Sequence, residues 1–321
     1  MMATSELDLF SRDVTGTVDV SNPEAVCAAV TAILRQRYPA AELVAVERLF
    51  VDFARLYRGE YPGFFACDTE YHDIQHVLDV TLAAVRLIDG YEAGHAPHAA
   101  AEQLGAELAI VGVAVALFHD AGYIRRKGDT RHLFGAEYTR IHVSRSARFL
   151  AEYLPTIGLP DVAPLAAKLV HYTGYEFKLE DIDIVDAKQR VLGTLVGSAD
   201  VMAQMADRAY LEKCRDRLYG EFELGGMTRV RDASGTERVV YASPADLLKQ
   251  TPDFIRRTVT ERLEHLFDGV YRYFAVHFGG RNLYLEAIEH NRQHLERLLA
   301  ENDEQLLQLG PLRRSELLET R

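Results

Sequence analysis

ELAIVGVAVALFHDAGYIRRKGDT, residues 107–130, is the stretch on which the reading of the fold turns. From Leu108 to Phe118 it is an apolar run at helical length, and Val113, Val115, Ala116, Leu117 and Phe118 read as buried. The run ends on His119 and Asp120 side by side. These two ionisable groups therefore leave the core of the protein rather than its surface. Burying them without partners would cost on the order of several kcal/mol. The plain reading of such a pair is a helix end, with the histidine on terminal carbonyls and the aspartate capping the next turn. Whether that suffices depends on what else the chain places on inward faces.

Working outward, apolar residues recur at helical spacing from Pro23 onward, in PEAVCAAVTAILRQRY, AAELVAVERLFVDFARLY, DIQHVLDVTLAAVRLID and FGAEYTRIHVSRSARFLAEYL, and again after LPTIGLP. The exception is MTRVRDASGTERVVY, two β-branched runs around DASG, which predicts a β-hairpin at about 227–241. SPADLLKQ then opens a further set of helices over about 244–303, beginning with a Ser cap. The expectation is an all-α helical bundle in one domain, 23–303, with the hairpin inserted. A flexible arm, 1–22, is expected before it and a frayed charged tail, 304–321, after it.

Composition narrows the function classes. With 321 residues, 48% hydrophobic and 26% charged, the chain is long enough for a large core. A net charge of −12 argues against a nucleic-acid surface and against an anionic membrane. Cys27, Cys67 and Cys214 stand far apart and outside any CxxC pattern, which fits reduced packing thiols in a cytoplasmic compartment. No apolar stretch is read as reaching the roughly 18–20 residues of a membrane span, and the N-terminus has no signal-peptide core.

Several ionisable residues nevertheless fall on core faces. TEYHDIQHVLDV, 69–80, sets His72, His76 and Asp79 on one helical stripe. His142 lies in YTRIHVSRSARFL, His171 ends AAKLVHYT, and Asp200 sits in the apolar VLGTLVGSADVMAQM. Any one of these histidines reads most simply as a hydrogen-bonded core residue. Five histidines with two or three aspartates on successive helices are hard to satisfy pairwise, and imidazoles and carboxylates converging from several helices suit a divalent metal site.

The order His76, then His119-Asp120, then a distant Asp200 resembles the signature of the HD-domain metal-dependent phosphohydrolases. YHDIQHVLDV is similar to the YHNxxHAxDV motif of HD-type cyclic-nucleotide phosphodiesterases, with Asp73 in place of the Asn. HVSRSARFL is similar in spacing to the HPxxGAxIL segment of HD-GYP phosphodiesterases, and His171 precedes Asp200 much as in that group. The resemblance covers about 71–207. Tyr123 stands where the cyclic-nucleotide enzymes carry a further histidine, and there is no GYP triplet.

The resemblance implies an HD-domain fold and one or two divalent metal ions (Mn, Fe, Zn or Mg). His76, His119, Asp120 and Asp200 would hold the first. Asp120, with two oxygens, would bridge to a second held by His142 and His171, and the metals would activate a water for attack on a phosphoryl group. His72 would be the general acid, and Asp79 could orient an imidazole as an outer carboxylate. The loop YIRRKGDTRH offers Arg125, Arg126, Lys127, Arg131 and His132 as a phosphate cradle, and equally as a solvated loop. Tyr172, Tyr175, Phe274 and Phe278 could stack a base, although aromatics at helical spacing are usually core.

The expected function is a metal-dependent phosphohydrolase, a phosphodiesterase acting on a nucleotide or cyclic nucleotide. The expected partner is a small phosphorylated substrate, with no nucleic acid and no membrane, and a homodimer left open. A nucleotidase or triphosphohydrolase is the nearest alternative. A mixed-valent diiron oxygenase could use the same ligand set, and a nucleotide-binding sensor without activity is a third reading, disfavoured by the intact ligands.

Overall fold

The computed structural model describes residues 10–95, 101–231 and 235–301, and the fold is all-α with one small hairpin. Pro23–Arg37 (α1) and Val44–Tyr57 (α2) lead to the long Ile74–His95 (α3) and Gly105–Phe118 (α4). His142–Tyr153 (α5), Ala163–Leu169 (α6) and Ala187–Ala206 (α7) follow. Tyr210–Lys213 (α8) and Tyr219–Leu224 (α9) are joined by a π-helical turn at Cys214–Leu218. Beyond the hairpin, Pro244–Arg257 (α10) runs into a π-helical stretch at Thr258–Leu266, and Tyr273–His277 (α11) and Leu283–Ala300 (α12) are the last helices among the described residues.

Helix starts carry their own signals. Asn22 caps α1 by accepting from Ala25 N at 3.0 Å, with Pro23 just inside, and Ser243 caps α10 from Asp246 N at 3.1 Å, with Pro244 just inside. Asp73 accepts from His76 N at 2.9 Å and so fixes the first turn of α3, the turn that carries His76.

The apolar run 108–118 forms most of α4, which packs against α3, α2 and α7 and is fully buried from Val111 to Phe118. α3 is the centre of the bundle, packed most closely on α7 and flanked by α1, α4 and α11. By length and composition the segment Gly105–Tyr123 could cross a membrane, which corrects the expectation that no stretch is long enough. Some 72% of its most apolar window is buried inside the protein, so packing against neighbouring helices accounts for its hydropathy.

The hairpin is shorter than the sequence suggests. Arg229–Arg231 (β1) pairs antiparallel with Glu237–Val239 (β2), Val230 opposite Arg238. The expected flexible arm is also corrected for its described part, since residues 10–22 are tied to the bundle. The Asp13 carboxylate accepts from Thr15 N, Thr17 N and Val18 N and pairs with the buried Arg86 at 2.6 Å. Val20 enters the core. Residues 1–9 and the expected tail, 304–321, lie outside the described residues.

Candidate metal centre

Four side chains converge where α3, α4 and α7 meet. His76 comes from the first turn of α3, His119 and Asp120 from the end of α4, and Asp200 from the middle of α7. His119 Nε2 lies 3.1 Å from Asp120 Oδ2 and 3.5 Å from Asp200 Oδ1. His76 Nε2 lies 3.4 and 3.6 Å from the same two oxygens. Ligand atoms of His76, His119 and Asp120 fall within 4.8 Å of one another, and all three residues are buried.

This group could hold a metal ion, and its hydrogen bonding fits one. His119 Nδ1 faces Ala116 O at 2.7 Å. A carbonyl only accepts, so Nδ1 carries the proton and the Nε2 lone pair is left for a ligand. Nε2 of His119 and Oδ2 of Asp120 are buried with no hydrogen-bond partner, although each is a strong polar atom. Burial opposes charge on His119, yet Asp120 and Asp200 overcome it and hold its pKa well above the imidazole range. Burial likewise raises Asp120, but His119 and His72 outweigh it and hold the carboxyl well below the usual range. A cation is what these carboxylates attract, whether a proton or a metal.

His142 stands at the edge of the group. Its Nδ1 faces Thr139 O at 2.7 Å, and its Nε2 lies 3.6 Å from Asp120 Oδ1, the oxygen turned away from His119. Burial, with His72 nearby, lowers its pKa and keeps the ring neutral. The chain reaches this position because Gly122 has no side chain, since a Cβ there would meet His142 O at 1.8 Å. Ser146 Oγ accepts from Gly122 N at 2.8 Å and closes the contact.

His72 sits in the turn before α3. Its Nδ1 is 2.6 Å from Oε2 of the buried Glu221 on α9, whose Oε1 accepts from the backbone N–H groups of Tyr71 and His72. Burial lowers the His72 pKa, but Glu221, Asp120 and Asp200 more than reverse this and raise it to about 9. Tyr123 stacks on both His72 and His142, with ring centroids 4.6 and 4.4 Å away, and the two imidazole centroids lie 6.3 Å apart.

The site opens into a cavity of about 420 Å³. Beyond the ligands its walls are mostly apolar, with Leu218, Phe222, Met227, Tyr241 and Phe254 contributed by the second half of the chain. Gln204 and Gln250 add amides, and Arg140 and Arg257 add cations.

Other expected site residues are not brought to this place. His171 packs edge-on to Phe177 at 4.8 Å and does not line the cavity, and its buried Nδ1 has no hydrogen-bond partner. Tyr172 is core, its ring filling the space left by Gly193 and stacking on Phe267. Its neighbour Tyr175 is 72% exposed and does line the cavity. Phe274 stacks on Tyr284 in the interior.

The basic loop is also elsewhere. Arg125 pairs with Asp68 at 3.1 Å and covers Phe65, Arg126 pairs with Glu152 at 2.5 Å and covers Phe64, and His132 bonds Asp129 at 2.9 Å. Lys127 and Arg131 are exposed, and none of the loop's cations lines the cavity. Among the described residues no imidazole bonds Asp79, and its Oδ1 is buried without a partner. Burial, with Asp207 and Asp13, pushes its pKa up to about 8.

Glu221, Arg140 and Arg257 were missed by the sequence reading. Glu221 left one signal, an acidic residue beside Phe222 on a short helix whose buried position needs a partner. A scan against protein-family models and a search of curated proteins return no match for this chain.

Proposed function

We infer that the protein is a metal-dependent phosphohydrolase, a phosphodiesterase that cleaves a nucleotide or cyclic-nucleotide phosphodiester. The observation that carries this reading is the pairing of an orphaned ligand group with an adjacent proton donor. His119 Nε2 and Asp120 Oδ2 are buried without partners, and a short step away His72 is bonded to Glu221 at 2.6 Å.

His76, His119, Asp120 and Asp200 would hold one divalent ion, and Asp120 Oδ1 with His142 Nε2, at 3.6 Å, leaves room for a second ion. Such metals supply an acidified water and a positive clamp for a phosphoryl group. The chain's own residues do the rest. Asp120 offers its two oxygens in different directions. The carbonyls of Ala116 and Thr139 lock His119 and His142 in the tautomer that presents Nε2.

Glu221 keeps His72 protonated on Nδ1 and favours a second proton on Nε2, which is the state needed to give a proton to a departing alkoxide. The apolar walls exclude water around that transfer. A cavity of about 420 Å³ suits a ligand of nucleotide size.

The test is reconstitution of metal-depleted protein with Mn²⁺, Mg²⁺ or Zn²⁺ under argon, followed by assay on bis(p-nitrophenyl) phosphate and on cyclic mono- and dinucleotides. Turnover is expected, and Asp120→Ala is expected to lose both bound metal and turnover. Release of phosphate from nucleoside monophosphates, or of triphosphate from nucleoside triphosphates, without diester cleavage would move the reading to the nucleotidase alternative. Activity only with iron and oxygen would overturn hydrolysis in favour of an oxygenase.

A further inference from the structure

Once the basic loop is placed outside the cavity, the cations that do line it stand out. They are Arg140 and Arg257. Arg140 lies two residues before His142, and its Nη2 donates to Gly226 O at 2.7 Å, which anchors the guanidinium to the base of the hairpin. Arg257 is the last residue of α10, where Leu247, Gln250, Phe254 and Arg257 recur every three or four residues and present one stripe to the cavity. Neither arginine makes an ion pair among the described residues.

The carboxylates in the same wall do not serve them. Asp120 and Asp200 face the histidines. Glu176 accepts from Val143 N at 2.8 Å, Ser144 N at 3.0 Å and Ser144 Oγ, so its charge is held at the start of α5. Away from the ligand group the cavity is therefore cationic, in a chain of net charge −12. Apolar side chains, Phe222, Tyr241 and Phe254 among them, form much of the remaining wall. Both arginines line the cavity with no carboxylate paired to them among the described residues, so an anionic group of a bound ligand could meet them.

We propose that Arg140 and Arg257 form a second anion subsite, and that the substrate carries a further phosphate or carboxylate set apart from its scissile group. The guanidinium fork suits either anion. The proposal rests on the phosphohydrolase reading for which bond is cleaved, but not for the existence of the subsite.

The experiment compares thymidine 5′-(p-nitrophenyl phosphate) with its 3′-phosphate and 3′-O-carboxymethyl derivatives, using Mn²⁺-loaded protein. At least a tenfold higher kcat/KM is expected for a 3′-charged compound, and which of the two gains more identifies the anion. Arg140→Gln and Arg257→Gln should each bring that ratio towards one, whereas Arg148→Gln, on the exposed side of α5, should keep it. Raising the salt from 50 to 500 mM should shrink the ratio, because the arginines are exposed.

Equal kcat/KM for all three compounds, or a preference that survives in both arginine variants, would overturn the subsite. Calorimetry with thymidine 3′,5′-bisphosphate against thymidine 5′-phosphate reads the subsite without turnover. Tighter, arginine-dependent binding of the bisphosphate with no cleavage would leave the subsite standing and remove the phosphodiesterase reading. Cleavage without any preference would do the reverse, and no binding with no cleavage would remove both.

Discussion

Replacing Glu221 by Gln tests the proposed proton donor directly. The buried carboxylate lies 2.6 Å from His72 Nδ1 and also accepts two backbone N–H groups. Alanine would leave those donors unpaired, at about 1–3 kcal/mol each, so the isosteric amide is the cleaner change. Two unit charges about 4 Å apart at an effective dielectric of about 20 interact by about 4 kcal/mol, or roughly three pKa units.

Burial alone lowers the His72 pKa, and Glu221 is the largest influence raising it to about 9. A bound divalent ion would offset the help from Asp120 and Asp200, but not that from Glu221. The variant's His72 should therefore titrate at or below the ordinary imidazole range, around pH 6.5. The general-acid limb of a pH–rate profile, where activity falls as pH rises through the His72 pKa, should move down by two units or more. At pH 8 the loss should be about 10- to 100-fold on a diester with a poor leaving group, and smaller on a nitrophenyl ester. Bound metal, measured by elemental analysis, should be unchanged. An alkaline limb in the same place for both proteins, or equal losses on both esters, would refute the assignment.

Three further outcomes follow from the geometry. Tyr123→Phe should keep metal and activity, because stacking on His72 and His142 needs only the ring, whereas Tyr123→Ala should lower stability by about 3–5 kcal/mol in a denaturant titration. Asp79 has a folded-state pKa raised to about 8, so its stability contribution is full below pH 4 and is lost as pH rises through 8. Asp79→Asn should therefore raise Tm at pH 8.5, by an amount of order a few kcal/mol in free energy, and lose that advantage by pH 4. His171→Ala should leave metal content and turnover near wild type, and a fall in either would restore it as a ligand.

The departures from the sequence reading share a cause. His76, His119 and Asp200 were legible because each sits within or at the end of an apolar helix, where local spacing alone says which face a residue occupies. His171, the basic loop and Tyr172 were misplaced because each belongs to a turn or helix end, where direction comes from partners remote in sequence. Arg125 is turned by Asp68, Arg126 by Glu152, and Tyr172 by the gap at Gly193.

By itself the sequence determined the helical class, the largely interior course of 108–118 and the inward placement of His76, His119, Asp120 and Asp200, since the 3.6-residue period and the high penalty for unpaired buried charge act locally. Only the tertiary structure decided what surrounds those side chains. Glu221 reaches His72 from 149 residues away, and Arg140 and Arg257 meet the cavity from opposite halves of the chain. Contacts of that kind depend on how helices cross, and helix crossing is set by the packing of all the side chains together rather than by any short stretch.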